Sequence, residues 1–195
     1  MNLSLESKAK EHLFKVYRKE DEIHFLDDLG VWQVNRGVVQ LSRIQQDGNE
    51  VIVGWLTANS TFENSFNHSS VIYRAIALSD VYIRYYSPQD IAKSPILRRQ
   101  LIDQLCDRLV KSQQLLTIIA IRCFEERLRR LLLMLKHEIG TPLVDDTRLP
   151  IRFTHSHLAD VIGTSRITIT KILGNFQSQG LIYFDNERHI VIKGL

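Results

Sequence analysis

A group of basic and hydroxyl side chains near the C-terminus has the chemistry to bind nucleic acid. It comprises Arg166, Thr168, Thr170 and Lys171, with Ser165 at its edge. The apolar Ile169, Ile172 and Leu173 recur between them, so in a helix the polar side chains share the opposite face. An arginine fork matches O6 and N7 of guanine, a lysine reaches the same acceptors, and threonine can meet thymine or phosphate. The face could therefore read DNA bases, although a solvated helix surface has the same composition.

Local signals predict the elements that would position this face. Thr154 is placed to cap a helix that Gly163 ends, and Ser165 to cap a second helix that runs towards Gly180. His155, in the first turn of the first helix, could neighbour a phosphate or serve the cap. Two apolar runs at 181–184 and 189–192 flank a polar turn and predict a hairpin. Two helices, a glycine turn and a hairpin are typical of a winged helix-turn-helix.

The preceding segment predicts a long helix. Ser87-Pro88 and Ser94-Pro95 are typical helix starts, and no glycine or proline follows until Gly140. Apolar residues then recur every three or four positions. This stripe could pack within the monomer or mediate self-association, and the second reading is favoured because the helix exceeds what a small strand domain can cover. The residues expected at a dimer interface are Leu101, Leu105, Ser112, Leu116 and Ile119.

The N-terminal part reads as strands. After a short amphipathic stretch that includes Phe14 and Val16, alternating segments occur between residues 20 and 87, with Asp47-Gly48 as a hairpin turn. Several short strands at close spacing indicate a small sandwich or barrel. The predicted organisation is a strand domain at 1–92, the long helix and a hinge helix at 93–140, and a DNA-binding domain at 141–195, with a turn-rich linker at 140–150.

Composition limits the function classes. The 195 residues are 44% hydrophobic and 24% charged, with a net charge of +3, which is ordinary globular composition. Residues 1–92 have 9 basic and 12 acidic side chains, whereas residues 93–140 have 10 and 5. Two cysteines and the lack of a long apolar run favour a cytoplasmic protein without a disulfide framework or a membrane partner.

The stretch from Thr154 to Leu173 resembles the helix-turn-helix signature of the CRP/FNR superfamily of bacterial transcription factors. Its order Ser-Arg-apolar-Thr-apolar-Thr-Lys is similar to that of the nitrogen-control branch in cyanobacteria. The resemblance extends back through residues 36–43 and the long helix. It implies an α+β protein with a shortened β-roll similar to cyclic-nucleotide-binding domains, a dimerising helix and a winged helix-turn-helix.

The resemblance also implies function. A homodimer would bind double-stranded DNA at an interrupted palindrome, with two recognition helices about 34 Å apart, and would act on RNA polymerase, here as an activator. Arg166 would be the principal guanine reader, Lys171 the second basic contact and Thr168 a phosphate ligand. Ile167 replaces the glutamate of the catabolite activator, which favours contact with a thymine methyl group over recognition of cytosine.

The implied effector site departs from the family pattern. Family sensors bind an anion in a cassette that begins Phe-Gly-Glu and ends with an arginine, but residues 61–72 lack both the glycine and that arginine. We therefore expect a degenerate effector site, with no cofactor. The candidate contacts to an effector are Arg122, Arg74, Phe62 and Tyr73. At the hinge, Cys123 replaces the aspartate that caps the next helix in the catabolite activator.

Other chemistries fit less well. Two cysteines cannot hold an iron–sulfur cluster, His155-Ser156-His157 is a weak metal pattern, and no catalytic motif is found, so neither a metal site nor an enzyme is expected. Two alternatives stay open: a protein-interaction module without specific DNA binding, and a sensor of an unidentified small molecule in a rebuilt pocket around Phe62, Phe66 and Tyr73. Salt dependence separates the first from a DNA binder. A thermal-shift screen of metabolites would detect the second.

Overall fold

The computed structural model describes residues 14–24, 30–63 and 72–195. Within these residues the fold is α+β, as the sequence predicts, and it divides into two compact units. The first unit draws on residues 1–39 and 56–108, and the second on residues 40–55 and 109–195.

The first unit contains an antiparallel sheet of four strands in the order β1-β7-β2-β5. Its strands are β1 (Phe14–Tyr17), β2 (Val31–Arg36), β5 (Thr61–Glu63) and β7 (Val81–Tyr86), and the unit also contains β6 (Ile72–Ala77). Burial alternates along β7, because Val81 and Ile83 point into the core whereas Tyr82 is exposed. Trp32 is fully buried and lies opposite Phe62 in the register of β2 and β5.

Two proline-initiated helices follow the strands, as the sequence predicts. In α1 (Pro88–Lys93), the Ser87 hydroxyl accepts a hydrogen bond from the Asp90 amide at 3.1 Å, and the Asp90 carboxylate accepts one from the Ser87 amide at 3.2 Å. This reciprocal pair is a capping box. In α2 (Pro95–Ile119), Ser94 accepts from the amide of Leu97. The 25 residues of α2 give a length of about 37 Å.

The second unit contains the predicted winged helix-turn-helix. After a break at 120–123 comes α3 (Phe124–Ile139), followed by α4 (His155–Ile162) and α5 (Arg166–Ser178). A sheet in the order β10-β11-β9-β8 completes it, with β8 (Thr141–Pro142), β9 (Thr147–Arg148), β10 (Ile182–Phe184) and β11 (Ile190–Ile192). The unit also includes most of a hairpin formed by β3 (Val39–Ile44) and β4 (Glu50–Leu56), whose turn has Gly48 at φ 82°.

Two segments differ from the sequence-based expectation. Phe14 and Val16, which the sequence places in an amphipathic stretch before the strand domain, belong to strand β1, where both side chains are exposed; the rest of that stretch lies outside the described residues. The segment 140–150 is more than a linker, since Thr147 and Arg148 pair with β11 and extend the sheet of the wing. In both cases the strand is formed by pairing with distant residues, which no local pattern reveals.

An arginine clasp holds the turn between β10 and β11. Arg148 donates from Nε to Asp185 at 2.6 Å and from Nη2 to Glu187 at 2.6 Å and to Nδ1 of His189 at 2.7 Å. The other oxygen of Asp185 accepts from the amides of Glu187 and His189. The hydrogen bond from Arg148 is the main reason why the pKa of Asp185 lies at about 2, below its usual 3.8. The ionised carboxylate of Asp185 therefore binds both Arg148 of β9 and the backbone of the turn between β10 and β11.

We predict that acid loosens the wing. Because the pKa of Asp185 is lower in the folded chain than the usual 3.8, its stabilising effect is complete above pH 4 and is lost as the pH falls through about 2. Asp185→Asn should lower the melting temperature at pH 7, and its difference from the wild type should shrink towards pH 2. Glu187→Gln is the matched control and should have a smaller effect, since Glu187 is largely exposed. A difference between Asp185→Asn and wild type that is constant from pH 7 to pH 2.5 would contradict the clasp.

Candidate nucleic-acid interface

The N-terminus of α5 is built by its cap. Ser165 has extended backbone angles, and its hydroxyl accepts a hydrogen bond from the amide of Thr168 at 3.1 Å. The first turn of α5 contains no acidic residue. The partial positive charge of the helix N-terminus is therefore not neutralised locally, which favours an anion such as a phosphate nearby.

The turn before α5 depends on a left-handed glycine. Gly163 has φ 68° and ψ 49°, and its amide donates to the carbonyl of Ala159 to close α4. Residues with a Cβ rarely adopt this conformation. Thr154 caps the other end of α4, where its hydroxyl accepts from the amide of His157 at 3.1 Å. The caps and the glycine turn are those that the sequence predicts.

The outward face of α5 presents two cations and one apolar side chain. Arg166 and Lys171 are exposed, and neither makes a side-chain hydrogen bond or ion pair with any of the residues that the structure describes. Ile167, between them, is 70% exposed, which is unusual for a large aliphatic residue. The opposite face is the core, formed by Ile169, Ile172, Leu173 and Phe176.

The hydroxyl groups predicted to bind DNA are already engaged within the protein. The Thr170 hydroxyl donates to the carbonyl of Arg166 at 2.9 Å and lies 2.8 Å from Nδ1 of His155. Since that hydroxyl has one proton, Nδ1 of His155 is the donor in the second bond. Thr168 and Ser165 pair their hydroxyls at 2.9 Å. These hydroxyls therefore chiefly fix the helix.

His155 links α4 to α5 and has an altered titration. Burial lowers its pKa, and the nearby charge of Arg166 lowers the pKa further. Its ring also lies 6.5 Å from that of Phe184 in β10. The lowered pKa favours the neutral imidazole, and the contacts of His155 tie the first helix of the motif to the recognition helix and the wing.

The sequence did not single out the arginine clasp or the wing tip. Arg188 is exposed at the tip and has a left-handed φ of 65°. The ligand atoms of Asp185, Glu187 and His189 lie within 4.8 Å of one another, as in a possible metal site. Arg148 already contacts all three, so a guanidinium occupies the position that a metal ion would need. The isolated Asp-x-Glu-Arg-His turn gives no signal for this partner 37 residues away.

The predicted effector residues belong to both units. Phe62 is buried in the core of the first unit, and Tyr73 and Arg74 are half-buried on β6. Arg74 forms an ion pair with Glu22 at 3.3 Å. Arg122 is exposed in the second unit, between α2 and α3. Residues 64–71, which include Phe66 and most of the expected anion cassette, lie outside the described residues.

The predicted dimer residues divide into two groups. Leu101 is only 5% exposed within the protomer, whereas Leu105, Ser112, Leu116 and Ile119 are exposed. Further large apolar residues of α2 are exposed as well, namely Ile102, Leu109 and Val110. Beside the end of α2, an open groove of about 710 Å³ is lined by four apolar side chains (Ile118, Ile121, Leu133 and Met134) and by six polar or charged ones (Gln114, Thr117, Glu126, Arg130, His137 and Glu138). Among the described residues, the structure has no helix with the length and apolar character that a bilayer crossing requires.

Comparisons with known proteins agree with this geometry. A model of the Crp-like helix-turn-helix domain matches residues 126–195. The global nitrogen regulator of the cyanobacterium Nostoc is 27% identical over 172 residues, which cover 84% of this chain and 77% of the relative.

Solved structures share the fold. A protein from Listeria monocytogenes that contains a cyclic nucleotide-binding domain has a TM-score of 0.78 at 17% identity, with 93% of this chain and 89% of that chain covered. A CRP-family transcriptional regulator from Thermus thermophilus has a TM-score of 0.76 at 15% identity, with 91% of each chain covered. The N-terminal fold is thus similar to that of cyclic-nucleotide-binding domains, and the C-terminal part is a DNA-binding helix-turn-helix. Residues 126–195 thus match the Crp-like helix-turn-helix family, and the sequence relatives together with the shared fold support a transcription regulator of the CRP/FNR family.

Proposed function

We propose that this chain is a homodimeric transcription regulator that recognises a palindromic DNA operator by placing α5 in the major groove. The observation that supports this most directly is which side chains of α5 have a hydrogen-bond or ion-pair partner within the protein. Arg166 and Lys171 are exposed and have no partner among the described residues, while the neighbouring hydroxyls are held within the protein. Cations kept free beside a helix N-terminus without acidic residues suit an anionic ligand that carries acceptor groups.

The exposed face of α5 also suggests which bases the protein would recognise. The Arg166 guanidinium is suited to the two acceptors of guanine, and Lys171 to a second guanine or to phosphate. Ile167, exposed one position further along, is suited to a thymine methyl group. The half-site should therefore combine a guanine with an adjacent thymine.

The proposed dimer interface is the exposed apolar side of α2. Its members recur three, four or seven positions apart, at Leu105, Leu109, Leu116 and Ile119. Leu101 is left out, because a side chain already buried in the protomer has little area to contribute. Exposed apolar patches of this kind are typical of interfaces.

The proposal does not include a catalytic activity or a defined effector. The expected degeneracy of the anion cassette and the contact with RNA polymerase stay predictions, as does activation over repression. Arg74 is engaged with Glu22, which favours a structural role for it over ligand binding.

We predict that Arg166→Ala removes operator preference and leaves general DNA affinity. Loss of a bidentate contact to guanine should cost about 1–3 kcal/mol of discrimination, or roughly 5- to 150-fold, while phosphate contacts persist. The measurement is a competition gel shift between a selected operator and scrambled DNA over a range of salt concentrations. Arg98→Ala, an exposed arginine of α2, is the matched control and should bind like the wild type.

Two outcomes of that measurement would refute the assignment. One is an Arg166→Ala variant that discriminates its operator as well as the wild type does. The other is wild-type binding that does not weaken as salt rises, since phosphate contacts release counterions and so make DNA binding steeply salt-dependent. The second outcome would favour the protein-interaction alternative.

We predict that Leu116→Glu produces a monomer. Leu116 is 67% exposed on α2, so a carboxylate is tolerated in the folded protomer but would be buried and unpaired at an apolar interface. Val144→Glu is the matched control, because Val144 is 99% exposed in the turn between β8 and β9. Light scattering after size exclusion should give half the wild-type mass for Leu116→Glu only. If both variants keep the dimer mass, this side of α2 is not the interface.

A further inference from the structure

One guanidinium in the second unit binds both the segment that follows α2 and the C-terminal end of α4. Arg127, in the first turn of α3, donates from Nε and Nη2 to the carbonyl of Ile121 at 2.9 and 2.6 Å. Its Nη1 donates to the carbonyl of Ile162, the last residue of α4. The guanidinium also lies over the ring of Phe124, 5.0 Å from its centroid. All four of these residues belong to the second unit.

The electrostatics of the two helix ends favour this arrangement. A helix C-terminus has unpaired carbonyls and a partial negative charge, which a nearby cation stabilises. Neither α2 nor α4 has a basic residue in its last turn. Arg127 supplies the cation from a third helix, to the segment that follows α2 and to the end of α4. Its side chain is half-buried there, so the contacts are shielded from water and salt.

The hydrogen bond between Arg127 and Ile162 affects α5, because Ile162 lies just before the turn that leads into this helix. Gly163 follows immediately and forms the left-handed turn, and Ser165 then caps α5. A carbonyl held at Ile162 therefore fixes the starting point of the recognition helix. A carbonyl held at Ile121 fixes the segment between α2 and α3. Since one rigid planar group makes both contacts, the geometry of one segment constrains the geometry of the other.

We propose that Arg127 is a positioning residue that sets the orientation of the recognition helix relative to α2. In the proposed dimer it would thereby set the separation between the two copies of Arg166. The structural part of this proposal stands without DNA, while the effect on operator spacing rests on the proposed function. Lysine is not an adequate substitute, because its ammonium cannot present several coplanar donors to two carbonyls.

A distance measurement without DNA tests the structural part. Spin labels at Gln113→Cys in α2 and Gln177→Cys in α5, both exposed positions, would be introduced after Cys106→Ala and Cys123→Ala, and diluted with unlabelled chain. We expect one narrow distance distribution with Arg127 and a broader or shifted one with Arg127→Met. Arg127→Lys should lie between the two. The matched control is Arg130→Met, since Arg130 pairs only with Glu126 among the described residues. An unchanged distribution in both Arg127 variants overturns the proposal.

An operator-spacing measurement tests the functional part. The affinity of each variant would be measured for the operator selected by the wild type and for the same half-sites with one base pair added or removed. We expect the wild type and Arg130→Met to prefer the selected spacing. Arg127→Met should lose most of that preference, about tenfold or more, with its affinity for a single half-site unchanged. A general loss of stability would instead reduce affinity for all sites alike and leave the preference intact.

The outcomes separate the two proposals. If the wild type selects no palindrome, the proposed function fails, and the spin-label distances still decide the role of Arg127. If the wild type has a spacing preference that Arg127→Met and Arg127→Lys both retain, the positioning role is wrong and the proposed function stands. Should Arg127→Met not fold, as judged by circular dichroism, Arg127→Lys supplies both measurements.

Discussion

The proposed DNA-binding surface depends on the burial of one side of α5. Four side chains, Ile169, Ile172, Leu173 and Phe176, are almost fully buried, and each contributes about 1.5–3 kcal/mol relative to an exposed position. A rotation of the helix by one residue would expose part of this set and move a cation towards the core, where an unpaired charge costs several kcal/mol. Both effects favour the same orientation. The direction of Arg166 is thus determined by residues that never meet the ligand.

Polar contacts then refine what the buried face establishes. Ser165 closes the first turn, and the Thr170 hydroxyl joins the Arg166 carbonyl to His155. Because these hydroxyls are bound within the protein, the exposed groups left to a ligand include the guanidinium of Arg166, the ammonium of Lys171 and the apolar side chain of Ile167. Such a set distinguishes guanine and thymine from cytosine, since cytosine presents a donor that needs an acceptor. A helix with a carboxylate in place of Ile167 would have the opposite preference.

The sequence predicts the parts of this protein that depend on local chemistry. Thr154, Gly163 and Ser165 locate α4 and α5, and the serine–proline pairs locate the starts of α1 and α2, because each signal acts within a few residues. It does not predict β1, β9 or the Arg148 clasp, whose partners are distant in the chain. Leu101 and Leu105 belong to one periodic stripe, yet only Leu101 is buried within the protomer. Periodicity shows that a face is apolar and cannot show which neighbour covers each residue.

The hinge between α2 and α3 shows how a weak local signal can be replaced by a distant contact. Cys123 occupies the N-cap of α3 without a side-chain hydrogen bond, so the start of this helix lacks the local contact that serine or aspartate would give. Arg127, one turn later, instead reaches back to Ile121 and across to Ile162. A hinge fixed by a cap would be insensitive to α4, whereas this one shares its guanidinium with the helix-turn-helix. If α5 binds DNA as proposed, linkage requires reciprocity: a change at the hinge would alter DNA affinity, and DNA binding would alter the hinge by the same free energy.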